Sequence, residues 1–401
     1  MAIVNKIMKK INKYNYLKLT IFISIILLCC SCTTHKNKIV EKENEKLSSN
    51  TKIDEKIIKN ISDDKKYEFN YSNKNSFVSL KIPKEEWDAF VEFKNYDTMP
   101  NQKNKGMVCS QDWSNFIYQN INDEYDFIVY ILNTDIKPEK LPMNGYFQSI
   151  QNKIKGIGIP SFGDAFYDYS NLYGEGVSNL EGIIYLTHND IIYDGPFLHE
   201  FMHRFGNYIL DSDYGMCHWG DSNIFGRLGG YNSIEKIDSE NSKITTYRRY
   251  WDGEYAPFEL YLMGLIPKDE VPDITITQDY SSKIIEETNW NRKDGKDIII
   301  SGEIKTKTYK IDEIINGELS TKNQKKNIGE RIPNFKDSKK EFNILFVAID
   351  YDDVKEEEIK LINNQIEKLC YKGKENDEVY NFFEACKGKA SIKTDVYLNI
   401  K

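Results

Sequence analysis

Histidine is scarce in this 401-residue chain: there are five, and four of them (His188, His199, His203 and His218) fall within thirty-one positions. Basic charge is also short, with 54 Lys+Arg against 62 Asp+Glu and a net charge of −8. The basic excess of a nucleic-acid binder is missing, so no nucleic-acid partner is expected. Proline and glycine, at 10 and 23 residues, are too few for a collagen-like or low-complexity chain. The apolar run Leu19 to Cys30 stops well short of the roughly twenty residues that a membrane-spanning helix needs. What is present is a hydrophobic fraction of 40 % with 13 % aromatics, enough for a substantial core. At roughly 100–200 residues per domain, the length allows two or three units.

The N-terminus reads as an export signal. Lys6, Lys9, Lys10, Lys13 and Lys18 precede the apolar run with no acid among them, and Ser31-Cys32 follows it. Leu27-Leu28-Cys29-Cys30-Ser31-Cys32 resembles a bacterial lipoprotein signal, in which the cysteine after the cleavage site is acylated. The resemblance implies lipidation at Cys32, with Cys30 as the second candidate. It implies a protein anchored through lipid to the bacterial cell membrane or outer membrane, or otherwise secreted. Setting residues 1–31 aside moves the net charge to −13. Residues 32–66, rich in Lys, Glu, Asn, Ser and Asp, read as a flexible tether. Export permits disulfides, and Cys370 with Cys386 or Cys109 with Cys217 are possible pairs. Four cysteines allow three pairings, and spacing does not choose among them.

Along the body, period-two alternation predicts strands in YEFNYSN and FVSLKIP, and EEWDAFVEF reads as a short amphipathic helix. Gln111 to Ile121 lines up Trp113, Phe116, Ile117 and Ile121 on one helical face. Tyr125 to Leu132, Gly182 to Thr187 and the FNILFVAID run from Phe342 read as buried strands. The GIGIPSFG stretch lacks the glycine order and the flanking elements of a nucleotide loop. Ala256 to Gly264 reads as a short helix opened by Pro257. A domain boundary is expected near Pro267 to Pro272, separating residues 67–267 from a C-terminal α/β region at 268–401.

The chemistry is concentrated in Gly195-Pro196-Phe197-Leu198-His199-Glu200-Phe201-Met202-His203, which contains H-E-x-x-H after a helix-start signal. Positions i and i+4 of a helix lie one above the other, so His199 and His203 can reach one metal ion. Glu200 stands where its carboxylate can take a proton from an activated water. Phe197, Leu198, Phe201, Met202 and Phe205 supply an apolar face for burial. A catalytic zinc needs a third protein ligand.

This constellation resembles the zincin metallopeptidases. With His218-Trp219 and the segment APFELYLMGL, it is similar more narrowly to a little-characterised group of secreted bacterial zincin-like proteins. The resemblance covers about Asp112 to the C-terminus. It implies an α+β fold in which a zincin-like mixed sheet is followed by an active-site helix and a second subdomain. Gly182 to Thr187 is expected as the edge strand that binds substrate. The third ligand stays open. The metzincin position is occupied by Ile209, although Gly206 fits that pattern; His218 on a following loop is one candidate, and Glu259, placed as in gluzincins, is the other. Met263 reads as a core residue rather than a methionine turn. Tyr261, Tyr255, His188 and Arg227 are candidate oxyanion donors. The implied function is a zinc-dependent endopeptidase acting on an extracytoplasmic protein or peptide. The alternative is a non-catalytic, adhesin-like surface lipoprotein on the same scaffold.

Overall fold

Phe127-Ile128-Val129-Tyr130-Ile131-Leu132 has no polar side, and every one of its residues is buried. A strand of that kind belongs in the middle of a sheet covered on both faces, and the computed structural model places it there. The structure describes residues 55–92, 105–158, 166–206, 209–210, 218–220, 222–238, 242–246, 253–279, 284–287, 298–302, 304–317, 320–321, 324–325, 328–374 and 379–399. The chain divides into two compact units, Met1–Glu55 and Lys56–Lys401, and every element named below belongs to the second.

The main sheet has eight strands: β1 (Ile57–Ile61), β2 (Glu68–Ser72), β3 (Phe77–Lys81), β4 (Phe127–Leu132), β5 (Gly145–Ser149), β6 (Gly182–Leu186), β7 (Glu341–Asp350) and β8 (Ser391–Lys393). Their order is β1-β2-β3-β7-β4-β6-β5, with β8 pairing the start of β7. The four inner strands β3, β7, β4 and β6 run parallel. β2 and β5 pair antiparallel on the two sides of this parallel set.

Side-chain alternation divides the core into two layers. Val78, Ile128, Tyr130, Leu132, Ile183, Leu345, Val347 and Ile349 form one cluster with Trp113, Phe116 and Ile117 of α2 (Lys105–Tyr118) and Trp87 of α1 (Lys84–Val91). Phe127, Val129, Ile131, Ile184, Leu186, Ile344, Phe346 and Ala348 form the other. That second layer packs on α3 (Phe197–Met202), α4 (Pro257–Leu262), α5 (Ile311–Ile315), α6 (Glu356–Cys370) and α7 (Phe382–Ala385). Each fully buried Phe, Leu or Ile in these layers is worth about 1.5–3 kcal/mol. The fold is therefore α+β with a large mixed sheet, as the sequence implies.

Four expectations are corrected. The edge strand next to the parallel set is β5 and not Gly182–Leu186, which lies between β4 and β5. The boundary near Pro267 runs through one sheet: β7, from beyond it, pairs with β3 and β4 from before it. Its two buried faces leave it no stable existence apart from them. Residues 57–61, expected in the tether, form β1, whose side chains are mostly exposed and whose order comes from backbone pairing with β2. A strand that buries almost nothing has the composition of a linker. Cys370 and Cys386 are both free thiols, so their pairing does not occur. Cys217 lies outside the described residues, and so do residues 1–31, Cys32 and the tether up to residue 54.

Candidate metal centre

The helix that carries the H-E-x-x-H segment is short. Pro196 opens α3, whose Phe197, Leu198, Phe201 and Met202 are buried. Phe201 meets Phe127 at 5.0 Å, Phe342 at 5.2 Å and Phe382 at 5.0 Å between ring centroids, fixing the helix to the sheet. The Tyr255 hydroxyl, itself buried, donates to the Leu198 carbonyl at 2.8 Å and holds the first turn. With one face committed to the core, the opposite face presents His199 and, one turn on, His203.

Three imidazoles converge there. His199 Nε2 lies 3.2 Å from His203 Nε2 and 3.1 Å from His218 Nε2, and the ligating nitrogens of all three lie within 4.8 Å of one another. Two nitrogens bound to a tetrahedral zinc at about 2.0–2.1 Å stand about 3.3 Å apart, close to these separations. His199 Nδ1 meets the Arg227 carbonyl at 2.6 Å. A carbonyl only accepts, so Nδ1 carries the proton and Nε2 keeps its lone pair for a cation. Burial, with His218 alongside, pushes the His199 pKa down to about 4, and burial lowers that of His218 as well. Both favour the neutral, ligating form.

Glu200 is 7 % exposed, and burial alone pushes its pKa up to about 8. β5 passes directly beside it. A Cβ on Gly145 would stand 2.8 Å from Glu200 Cγ and 3.0 Å from Glu200 Oε1, so only glycine lets the strand come this close. This neighbour was not foreseen from sequence. A lone glycine carries no chemical signal, and GYFQS mixes polar and apolar residues too evenly to stand out.

Glu259 sits elsewhere. It is 0 % exposed and accepts four hydrogen bonds: Trp219 Nε1 at 2.8 Å, the N–H groups of Arg227 and Leu228 at 2.9 Å each, and the Ala256 N–H at 3.0 Å. Burial raises its pKa, while those donors act in the opposite sense. Its oxygens are occupied by N–H groups, and the residue the structure brings to His199 and His203 is His218. Ile209 is buried in the core, as is Met263.

The proposed oxyanion donors divide. Tyr255 is committed to Leu198, and the Tyr261 hydroxyl accepts the Arg331 N–H at 3.1 Å. His188 pairs with Asp190 at 3.0 Å, apart from the three-histidine group. Arg227 is buried, and its carbonyl is the acceptor for His199.

No family model matches this chain, and neither a curated protein nor a solved structure matches it.

Proposed function

We propose that the protein is an exported zinc-dependent endopeptidase with a zincin-like fold. The observation that carries this reading is the convergence of His199, His203 and His218, with the buried Glu200 next to His199 on the same helix. The donor set fits zinc: three imidazoles, one with its tautomer fixed by a backbone carbonyl, leave a fourth position free. When bound, zinc supplies the Lewis acidity that acidifies a water and polarises a substrate carbonyl.

The protein's own groups do the rest. Glu200 accepts a proton from the attacking water and passes it to the leaving amine. Its burial makes it a stronger base than an exposed glutamate. β5 ends the sheet on this side, and its N–H and C=O groups can pair with an extended peptide across Gly145. Export and lipid attachment at Cys32 belong to the same proposal, supported by the lysine-rich start, the apolar run and Ser31-Cys32. Among the described residues no helix is long and apolar enough to cross a membrane.

The test combines metal analysis with hydrolysis of a peptide library. The expected result is one zinc per chain, lost in His199→Ala, and cleavage abolished in Glu200→Gln with zinc retained. Zinc binding without cleavage of any peptide would favour the non-catalytic surface lipoprotein. Full cleavage by zinc-loaded Glu200→Gln would refute the mechanism.

A further inference from the structure

Two of the three histidines are oriented by groups outside α3. His199 takes its direction from the Arg227 carbonyl. His218 is followed by Trp219, which is 1 % exposed and donates both its indole N–H to Glu259 and its backbone N–H, at 2.8 Å, to the Leu228 carbonyl. The N–H groups of Arg227 and Leu228 also end on Glu259. Gly226 and Gly229 exchange backbone hydrogen bonds at 2.8 and 3.0 Å, closing the turn that carries Arg227 and Leu228. A Cβ on Gly226 would overlap the Glu259 carboxylate, so the turn is pressed against this one group.

We propose that Glu259 is the positioning residue of the metal centre: one buried carboxylate sets His199 through Arg227 and His218 through Trp219. This rests on the metal-site reading above and deepens it. The reason is geometric. The loop is anchored at its start by the Ser222–Ile276 bridge and the Asn223–Thr275 hydrogen bonds, while at Arg227 and Leu228 the N–H groups end on Glu259; a carboxylate is the one side chain with enough acceptor sites to gather four N–H groups. The fourth of these, from Ala256, is the capping bond that ties the carboxylate to the start of its own helix. Glu259 thereby refers the loop to α4, while the Tyr255 hydroxyl refers α3 to the same segment.

The test measures zinc affinity of the full chain by competition with a chromogenic chelator, and the visible spectrum of bound cobalt(II), which reports ligand geometry. Glu259→Gln replaces one acceptor oxygen with a donor and should weaken zinc binding by about 10- to 100-fold while changing the cobalt spectrum. Trp219→Phe removes a single N–H and keeps an aromatic ring in place. It should weaken binding by about tenfold, with the melting temperature of the metal-free protein little changed. That combination separates positioning from general destabilisation, and Trp219→Phe decides the matter if Glu259→Gln does not fold. Wild-type affinity and spectrum in either folded variant would overturn the proposal. If the wild-type chain itself binds neither metal, the metal centre fails first, and this inference fails with it.

Discussion

Glu200 on α3 and Glu259 on α4 are the same residue, similarly buried, on short helices of one core layer, yet they stand in opposite electrostatic settings. Glu259 is surrounded by four N–H donors, whereas burial is the whole cause of the raised pKa of Glu200. A carboxylate with four donors is structural: burial raises its pKa, the donors oppose that rise, and its oxygens are committed. A carboxylate buried without such compensation holds its proton near neutral pH, which is the condition for a group that must take up and release one during a reaction.

The largest expected effect is on turnover. Glu200→Gln should lower kcat by about 100- to 10,000-fold, the usual worth of a positioned general base, with zinc content unchanged by metal analysis. Glu259→Gln should show the reverse order, losing zinc first and regaining activity as zinc is raised. Next is stability. Glu259→Ala strands four buried donors, at about 1–3 kcal/mol each, and should cost at least about 3 kcal/mol in denaturant unfolding. Glu200→Ala should cost far less, because it removes a group whose burial is uncompensated. Equal losses in the two variants would erase the distinction.

The third effect is a pH dependence. Glu200 titrates near 8 in the folded chain against an ordinary value of 4.5, so in that window the folded state holds a proton that the unfolded state has released. The stability it contributes to metal-free protein is therefore complete below about 4.5 and is lost as the pH rises toward 8. His199 works in the other sense: with its pKa near 4 against 6.5, its contribution is present above 6.5 and is lost as the pH falls toward 4. Glu200→Gln stays neutral at every pH, so from pH 5 to 8 the melting temperature of the metal-free wild type should fall steadily relative to that of the variant. The smallest effect is expected at the outlying histidine: His188→Ala, which breaks only its contacts with Asp190 and Thr187, should leave zinc affinity unchanged.

The readability of the molecule follows burial and range. β4, β6 and β7 were legible because strands covered on both faces are written as unbroken apolar runs. α3 was legible because Pro196, two histidines one turn apart and an apolar face coincide. β1 and β5 were not, since backbone pairing at a sheet margin leaves little trace in side-chain type. His218 and Glu259 were both visible as candidates, but which one joins His199 depends on how residue 259 meets residues 219, 227 and 228. Local pattern does not encode contacts of that range.

The position of β7 also sets when the site can come into existence. Phe197 of α3 rests near Phe346, at 6.1 Å between ring centroids, and in the sheet β7 lies between β3 and β4. A growing chain that has passed His218 but has not yet released Asp350 has its histidines without the central strand beneath them. Assembly of the centre must then await synthesis of β7, since it depends on contacts between distant parts of the chain. Until β7 has emerged, the helix that carries His199 therefore lacks the strand its Phe197 rests against, and the three histidines have no fixed common frame.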